Sequence, residues 1–373
     1  MKVSLFNLMP HPPLRALPTR WPTPHALCDP EQAVCQLAAY LDQFALADEL
    51  GFDWVACAEH HFSANSLSPN PSVVAGALSQ RVRRARIAIL GALLPINNPV
   101  RVAEEFAMVD AFSGGRLVAG LLRGAPYEYA VYSVAPAESR GRYEEAWELV
   151  LRAWTEPQPF GWEGEHYQFR TVSIWPRPVQ QPHPPIFVSG SSRDSAAFAA
   201  RKRVGVGLAF TNVPMAADAA RFYRETAAAA GWEPTPDHVV YQAPIYVADS
   251  DERAHAEIAP HLAYTAALMA PTLQVTRLAA GSGFFGARDA QINARFQTQV
   301  AREQQHSLAE RIAVGQLFCG GPDSVVAQLQ RLRAEVGAGV VNLIFQIGSL
   351  PPAATTRSIQ LFAKEVLPRI RDL

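Results

Sequence analysis

The chain has 373 residues, of which 49% are hydrophobic and 18% are charged, and its 33 basic and 34 acidic residues leave a formal net charge of −1. This balance argues against a nucleic acid or a membrane as a partner, because both attract proteins that carry excess positive charge. Four cysteines without CxxC spacing predict neither a metal site nor a disulfide framework. With no export signal recognised, we expect a globular, cytoplasmic protein.

Eight short and nearly continuously apolar segments alternate with longer amphipathic segments along the chain. Apolar strands of this kind are covered on both faces and are typical of parallel βαβ units. Eight such units predict an α/β fold, a (β/α)8 TIM barrel with insertions in the loops at its C-terminal face, and a single domain over residues 1–373. The predicted strands are Val3 to Leu8, Trp54 to His60, Ile87 to Pro95, Leu117 to Gly124, Ile186 to Gly190, Val206 to Phe210, Val239 to Val247 and Val340 to Ile347.

Several connections between these strands have a recognisable character. The proline-rich stretch from Met9 to Pro30 predicts an ordered loop over the barrel mouth, where binding residues concentrate. A helical pattern ends at Gly51, just before the second strand. The irregular stretch from Glu156 to Pro185 predicts a hairpin before the fifth strand, and the glycine-rich region from Ala280 to Gln299 predicts a mobile lid.

A pair of histidines stands at the end of the second predicted strand, in Ala58-Glu59-His60-His61-Phe62. In a barrel, residues at this end of a strand face the active site. Adjacent strand residues point to opposite faces, so His60 and His61 do not readily ligate one metal, and we expect one to face the cavity while the other is held in packing. Two histidines bonded to backbone carbonyls would explain the pair equally well.

Two further features indicate a phosphate site. Arg123 ends the fourth strand, and a guanidinium held there suits a phosphate because it stays charged and binds two oxygens at once. After the fifth strand, Gly190 allows close backbone approach, and Ser191, Ser192 and Ser195 open a helix whose N-terminus can bind an anion. A surface ion pair and an ordinary helix cap are the alternatives, but neighbouring strands bring both features toward one phosphate.

Longer motifs carry a resemblance to a known family. The runs Leu94 to Glu105 and Asp110 to Arg116, with Leu122-Arg123-Gly124 and the Glu59 to Phe62 segment, resemble the bacterial luciferase family of flavin-dependent monooxygenases. The similarity extends over essentially the whole chain. It implies a TIM barrel that binds reduced FMN (FMNH2) at the strand ends and oxidises a small organic substrate with O2 through a C4a-(hydro)peroxyflavin.

The resemblance also implies roles for individual residues. His60 resembles the active-site histidine that supports the peroxyflavin and transfers protons. Asn98 stands where luciferase has a histidine and would join His60 at the flavin edge. Leu90 and Gly91 match the place of a non-proline cis peptide beneath the flavin ring. The implied cofactor-binding residues are Arg123, Gly190, Ser191, Ser192, Ser195, Leu90 and Gly91.

Several residues depart from luciferase in ways that leave flavin binding in place. Leu122 replaces a cysteine and Ser191 replaces a glutamate, so the resemblance implies oxygenation without light emission or the luciferase substrate. Candidate walls of an apolar substrate pocket are aromatic, and packing within the loops would explain them equally well. They are Trp21, Tyr127, Tyr129, Phe284 and Phe285.

No GxGxxG motif for tight NAD(P)H binding is visible, so we expect a separate NAD(P)H-flavin reductase to supply FMNH2 in a two-component system. The resemblance suggests a homodimer through helices beside the early strands. One alternative is an F420-dependent or flavin-dependent dehydrogenase on the same fold. Another is a non-catalytic flavin-binding partner subunit, like the luciferase β chain, but the presence of His60, Arg123 and Gly124 favours a catalytic protein.

Overall fold

The computed structural model describes residues 1–190, 192–281 and 306–373, without the side chains of residues 279–281. Within these residues, eight parallel strands close into a barrel in the order β1-β2-β3-β4-β7-β8-β9-β11, which confirms the predicted (β/α)8 fold. The barrel strands are β1 (Lys2–Phe6), β2 (Trp54–Cys57), β3 (Arg86–Leu93), β4 (Leu117–Leu122), β7 (Ile186–Ser189), β8 (Gly205–Leu208), β9 (Val239–Val247) and β11 (Val340–Ile344).

Three short strands lie outside the barrel proper. β5 (Phe160–Glu163) and β6 (Gln168–Val172) form an antiparallel pair, so the hairpin predicted before the fifth barrel strand is confirmed. β10 (Phe318–Gly320) pairs with the end of β9. Of the lid predicted from Ala280 to Gln299, the first two residues end a helix (Asp251–Gly281), and the rest lies outside the described residues.

Helices follow most barrel strands and cover the outside of the barrel. Many begin at a side chain that accepts hydrogen bonds from the first backbone amides, such as Asp29, Asn70, Asn98 and Asn212. None of the described helices is both long and apolar enough to span a bilayer. In the described residues the α-helices are α1 (Pro30–Glu49), α2 (Pro71–Arg81), α3 (Pro99–Phe112), α4 (Ser139–Thr155), α5 (Arg193–Lys202), α6 (Val213–Ala229), α7 (Asp251–Gly281), α8 (Leu308–Ala313), α9 (Pro322–Val336), α10 (Pro352–Leu361) and α11 (Leu367–Ile370).

The alternation of side chains along each strand creates two apolar cores. On β1, Val3 and Leu5 pack against the surrounding helices, whereas Phe6 belongs to a second cluster inside the barrel. That inner cluster includes Trp54 and Phe187, whose rings meet edge to face at 5.5 Å. This inner core fills the interior of the barrel, and a cleft forms above it at the C-terminal ends of the strands.

Candidate active site

A cleft of about 660 Å³ opens at the C-terminal ends of the barrel strands. Active sites of TIM barrels are built at this face. Most of the predicted site residues meet here, although they come from the ends of four different strands. The predicted residues that line the cleft are His60, Leu90, Gly91, Arg123, Ser192 and Ser195.

His60 is held by a buried carboxylate. Its Nδ1 lies 2.8 Å from Oε1 of Glu128, a side chain that is only 1% exposed, while His60 itself is 23% exposed toward the cleft. Burial disfavours the imidazolium, but the charge of Glu128 and its hydrogen bond, with a further contribution from Glu59, outweigh burial and raise the pKa of His60. Nδ1 therefore carries the proton toward Glu128, and Nε2 is the ring nitrogen left for the cleft.

Tyr127 lies beside this pair. Its hydroxyl is 3.4 Å from Nδ1 of His60, at the limit of a hydrogen bond. Burial raises the pKa of Tyr127 well above its usual value, and the charge of Glu128 and a hydrogen bond to it act in the same direction. Tyr127 is therefore a neutral phenol at physiological pH.

His61 faces away from the cleft into a buried network, as predicted for one histidine of the pair. Its Nε2 lies 2.9 Å from Oε1 of Glu59, and both side chains are 3% exposed. Glu59 also accepts hydrogen bonds from the backbone amide of Leu93 at 2.8 Å and from Nδ2 of Asn97 at 2.9 Å. The network ties the end of β2 to the end of β3 and so positions the neighbouring His60.

The residues predicted to bind an anion follow two neighbouring strands, β4 and β7. Ser192 caps α5 at the cleft: its Oγ accepts from the backbone amide of Ser195 at 3.2 Å and lies 2.9 Å from Oγ of Ser195. Arg123 lies near Tyr143, where burial raises the pKa of the phenol and the arginine charge opposes that shift. Asp194 also lines the cleft and pairs with a cation, since its Oδ2 lies 3.8 Å from Nη2 of Arg140.

The peptide bond between Leu90 and Gly91 is cis, as the resemblance implied for this position. It coincides with a register shift between β3 and β4. A Cβ on Gly91 would lie 2.4 Å from the carbonyl oxygen of Gly120, and a Cβ on Gly120 would lie 2.3 Å from the carbonyl oxygen of Ile89. The two strands therefore approach too closely for a side chain at either glycine.

Two of the predicted residues that the structure describes, Asn98 and Gly190, are not part of this lining. Asn98 is exposed and caps α3, accepting from the amides of Val100 and Arg101 at 3.0 and 3.2 Å. Gly190 is buried, and a Cβ there would come within 2.9 Å of Leu208, so its role in the fold is close packing against β8. Ser191 lies outside the described residues, as do Phe284 and Phe285.

Of the predicted aromatic walls, the three that the structure describes, Trp21, Tyr127 and Tyr129, lie behind the lining and are not part of it. Trp21 packs edge to face on Tyr127 with ring centroids 5.6 Å apart, and Tyr129 is buried in a small cluster with Leu93 and Ile96. They thus support the loop that carries Glu128, so the loop-packing interpretation describes their contacts better. Phe210, which the sequence did not single out, lines the cleft and is 61% exposed.

Sequence reasoning missed Glu128, Gln242 and Asn342. Glu128 lies in the loop after β4. Its sequence context did not indicate a role, because only the fold brings it to His60. Gln242 and Asn342 line the cleft from β9 and β11, and a polar residue within an apolar strand was a usable signal. In the described residues, no three His, Cys, Asp or Glu side chains are grouped to hold a metal ion.

Comparison with known proteins gives a consistent result. The model of the luciferase-like monooxygenase family matches residues 21–339. The oxygenase component of flavin-dependent trigonelline monooxygenase from Acinetobacter baylyi is 30% identical over 164 residues, which cover 43% of this chain and 45% of that protein. The chain thus spans about half the length of the curated relatives that it matches.

Two solved structures match over almost their whole length. Monooxygenase RslO1 from Streptomyces bottropensis is 27% identical, with a TM-score of 0.77 and 99% of each chain covered. The oxygenating constituent of 3,6-diketocamphane monooxygenase from Pseudomonas putida, in complex with FMN, is 19% identical, again with a TM-score of 0.77 and 99% of each chain covered. At that lower identity the likeness shows the fold alone.

Proposed function

Because the chain belongs to the luciferase-like monooxygenase family, we propose that it is a flavin-dependent monooxygenase that uses reduced FMN and O2 to oxidise a small organic substrate. In this proposal residues 1–373 form one catalytic domain, and a separate NAD(P)H-flavin reductase supplies the reduced flavin. The relative from Acinetobacter baylyi is described as an oxygenase component, which supports a two-component system. The same relative is described as flavin-dependent, which supports a flavin as the cofactor.

One observation carries the proposal: a single cleft is lined by Arg123, by Ser192 and Ser195 at the start of α5, and by the carboxylate-held His60. The residues present fit FMN. Arg123 and the α5 N-terminus with Ser192 and Ser195 would hold the phosphate, because a guanidinium and exposed helix amides both favour a dianion. Leu90 and Gly91 line the same cleft and would lie beneath the flavin ring.

Other residues of the cleft would transfer protons and exclude water. Reduced FMN, when bound, supplies the two electrons for oxygen activation. Glu128 holds His60 through Nδ1, so that Nε2 can donate or accept a proton at the cleft. The apolar side chains of Phe6, Leu8 and Phe210 also line the cleft and would limit the access of water to the reacting atoms.

Binding and oxygen reactivity test the proposal together. Reduced FMN and reduced F420 would each be titrated into the protein without oxygen, and we expect binding of FMN in preference to F420. On mixing the FMN complex with O2, hydrogen peroxide should be released more slowly than from free reduced FMN, and faster from His60→Ala than from the unaltered protein. Failure to bind reduced FMN, or peroxide release as fast as from free flavin, would overturn the proposed function. Equal peroxide release from the unaltered protein and from His60→Ala would show that His60 does not have the proposed role.

We also propose that the protein forms a homodimer. Helices α2 and α3, beside the early strands, expose three apolar side chains: Val73 at 70%, Met108 at 43% and Phe112 at 57%. Exposed apolar groups on adjacent helices favour a covered face. Sedimentation of the unaltered protein and of Val73→Glu would test this, because the charged variant should be monomeric.

A further inference from the structure

The cleft has one charged side and one neutral side. Its charged lining comes from the ends of β2, β4 and β7, in residues such as His60, Arg123 and Asp194. The opposite wall, from β8, β9, β11 and β1, is apolar apart from the amides of Gln242 and Asn342. Around the barrel, β11 is four strands from β4 in either direction, so this pair lies across the cleft from Arg123.

The two amides form a linked pair. Asn342 and Gln242 are register partners on β11 and β9, and Nδ2 of Asn342 donates to Oε1 of Gln242 at 2.7 Å. Asn342 is fully buried, whereas Gln242 is partly exposed. With Oε1 bonded to Asn342, Nε2 is the polar atom of Gln242 left for the cleft.

The arrangement is incomplete within the protein. Oδ1 of Asn342 is buried without a hydrogen-bond partner in the described part of the chain, and Oγ of Ser4, the register partner of Asn342 on β1, is likewise unpartnered there. Most inward-facing neighbours are apolar, including Phe6, Val240 and Ile344. Burying a polar group in such surroundings lowers the stability of the fold unless the group forms a hydrogen bond. Apolar residues at these positions would avoid that cost.

We propose that Gln242 binds a neutral carbonyl oxygen through its Nε2 and that Asn342 is a positioning residue that fixes the orientation of Gln242. An amide N–H donates to a carbonyl oxygen, and the uncharged wall favours a neutral ligand over an ion. The carbonyl can belong to the flavin ring or to the organic substrate. The inference deepens the proposed function and rests on it where the flavin is concerned.

The test compares Gln242→Met, which keeps the size of the side chain and removes the amide, with Gln330→Met, the same change on the exposed face of α9. Two probes distinguish the sources of the carbonyl: reduced FMN, and cyclohexanone with methylenecyclohexane as its hydrocarbon counterpart. Calorimetric titration of the flavin-free protein with the cyclohexanone pair does not depend on the proposed cofactor.

For Gln242→Met we expect an affinity loss of about five- to tenfold, the size of one neutral hydrogen bond, for one probe. A loss confined to FMN assigns the carbonyl to the flavin; a loss confined to cyclohexanone, with methylenecyclohexane unchanged, assigns it to the substrate. Asn342→Leu should weaken the same probe without lowering the melting temperature, whereas a purely structural role would lower the melting temperature and leave both affinities unchanged. Unchanged binding of both probes to Gln242→Met overturns the inference, even where FMN binding upholds the proposed function.

Discussion

Glu128 lies 2.8 Å from Nδ1 of His60, although the two residues are 68 positions apart in the chain. The buried carboxylate sets the orientation and the proton affinity of the histidine that faces the cleft. The relationship makes the loop after β4 part of the site, because that loop carries both Arg123 and Glu128.

Replacing Glu128 by Gln should lower the pKa of His60. The amide keeps the size and a hydrogen bond but removes the negative charge that offsets the cost of burying the imidazolium. NMR titration of the His60 ring protons measures this directly, with Glu138→Gln, an exposed carboxylate on the following segment, as the matched control. An unchanged titration in Glu128→Gln would mean that another group raises the pKa.

The pair should also make stability depend on pH. The folded-state pKa of His60 is raised above the ordinary value of 6.5, so its stabilising contribution is fully present below about pH 6.5 and is lost as the pH rises through the folded-state pKa. His60→Gln should therefore lower the free energy of unfolding by about 1–3 kcal/mol at about pH 5.5 and by less at about pH 9. Urea denaturation at both pH values provides the comparison; an equal loss at both would contradict the charge pairing.

Neutralising Arg123 should affect the flavin phosphate specifically. For Arg123→Met we expect reduced FMN to bind about 10- to 100-fold more weakly, because a charge-assisted contact is lost, while riboflavin, which has no phosphate, binds almost as before. Anaerobic titrations of both flavins give the ratio. Arg201→Met, on the exposed face of α5, serves as the control for a general change in charge. Equal weakening for both flavins would place Arg123 away from the phosphate.

Because β3 and β4 contact closely at Gly91, we expect that adding a methyl group at this residue destabilises the protein. Gly91→Ala should destabilise the protein by about 1–3 kcal/mol or more, since the new Cβ would lie 2.4 Å from the carbonyl oxygen of Gly120. Gly76→Ala, in α2 with no atom within 4 Å of the new methyl, should instead stabilise by about 0.5–1 kcal/mol. Thermal and urea unfolding of the two variants would show opposite signs, and two effects of the same sign would refute the argument.

Variants of Asn98 distinguish a role as the N-cap of α3 from a role at the flavin site. Asn98→Ala should cost about 1 kcal/mol of stability through the lost cap of α3, and Asn98→Asp should retain it. Neither change should alter the affinity for reduced FMN, because the side chain does not line the cleft. Weaker binding by Asn98→Asp, with stability intact, would restore Asn98 to the flavin site.

Local patterns in the sequence were sufficient for the barrel. Continuous apolar runs, helix ends such as Gly51 and the regular alternation of elements arise from burial on both sheet faces and from backbone conformation, so they are readable without the fold. The same reasoning placed His60 and Arg123 at strand ends and left one histidine for packing. The family motifs added the cis position at Leu90 and Gly91.

Only the tertiary structure decided which residues that are distant in sequence contact each other. Glu128 beside His60, Gly91 against Gly120 and Asn342 holding Gln242 depend on barrel closure and strand register. The physical reason is that polar contacts act over a few ångströms, and a chain pattern carries no information on which distant residue comes within that range. Asn98 shows the converse: its type suited the cleft, but its position at the start of a helix directs its side chain to the backbone amides.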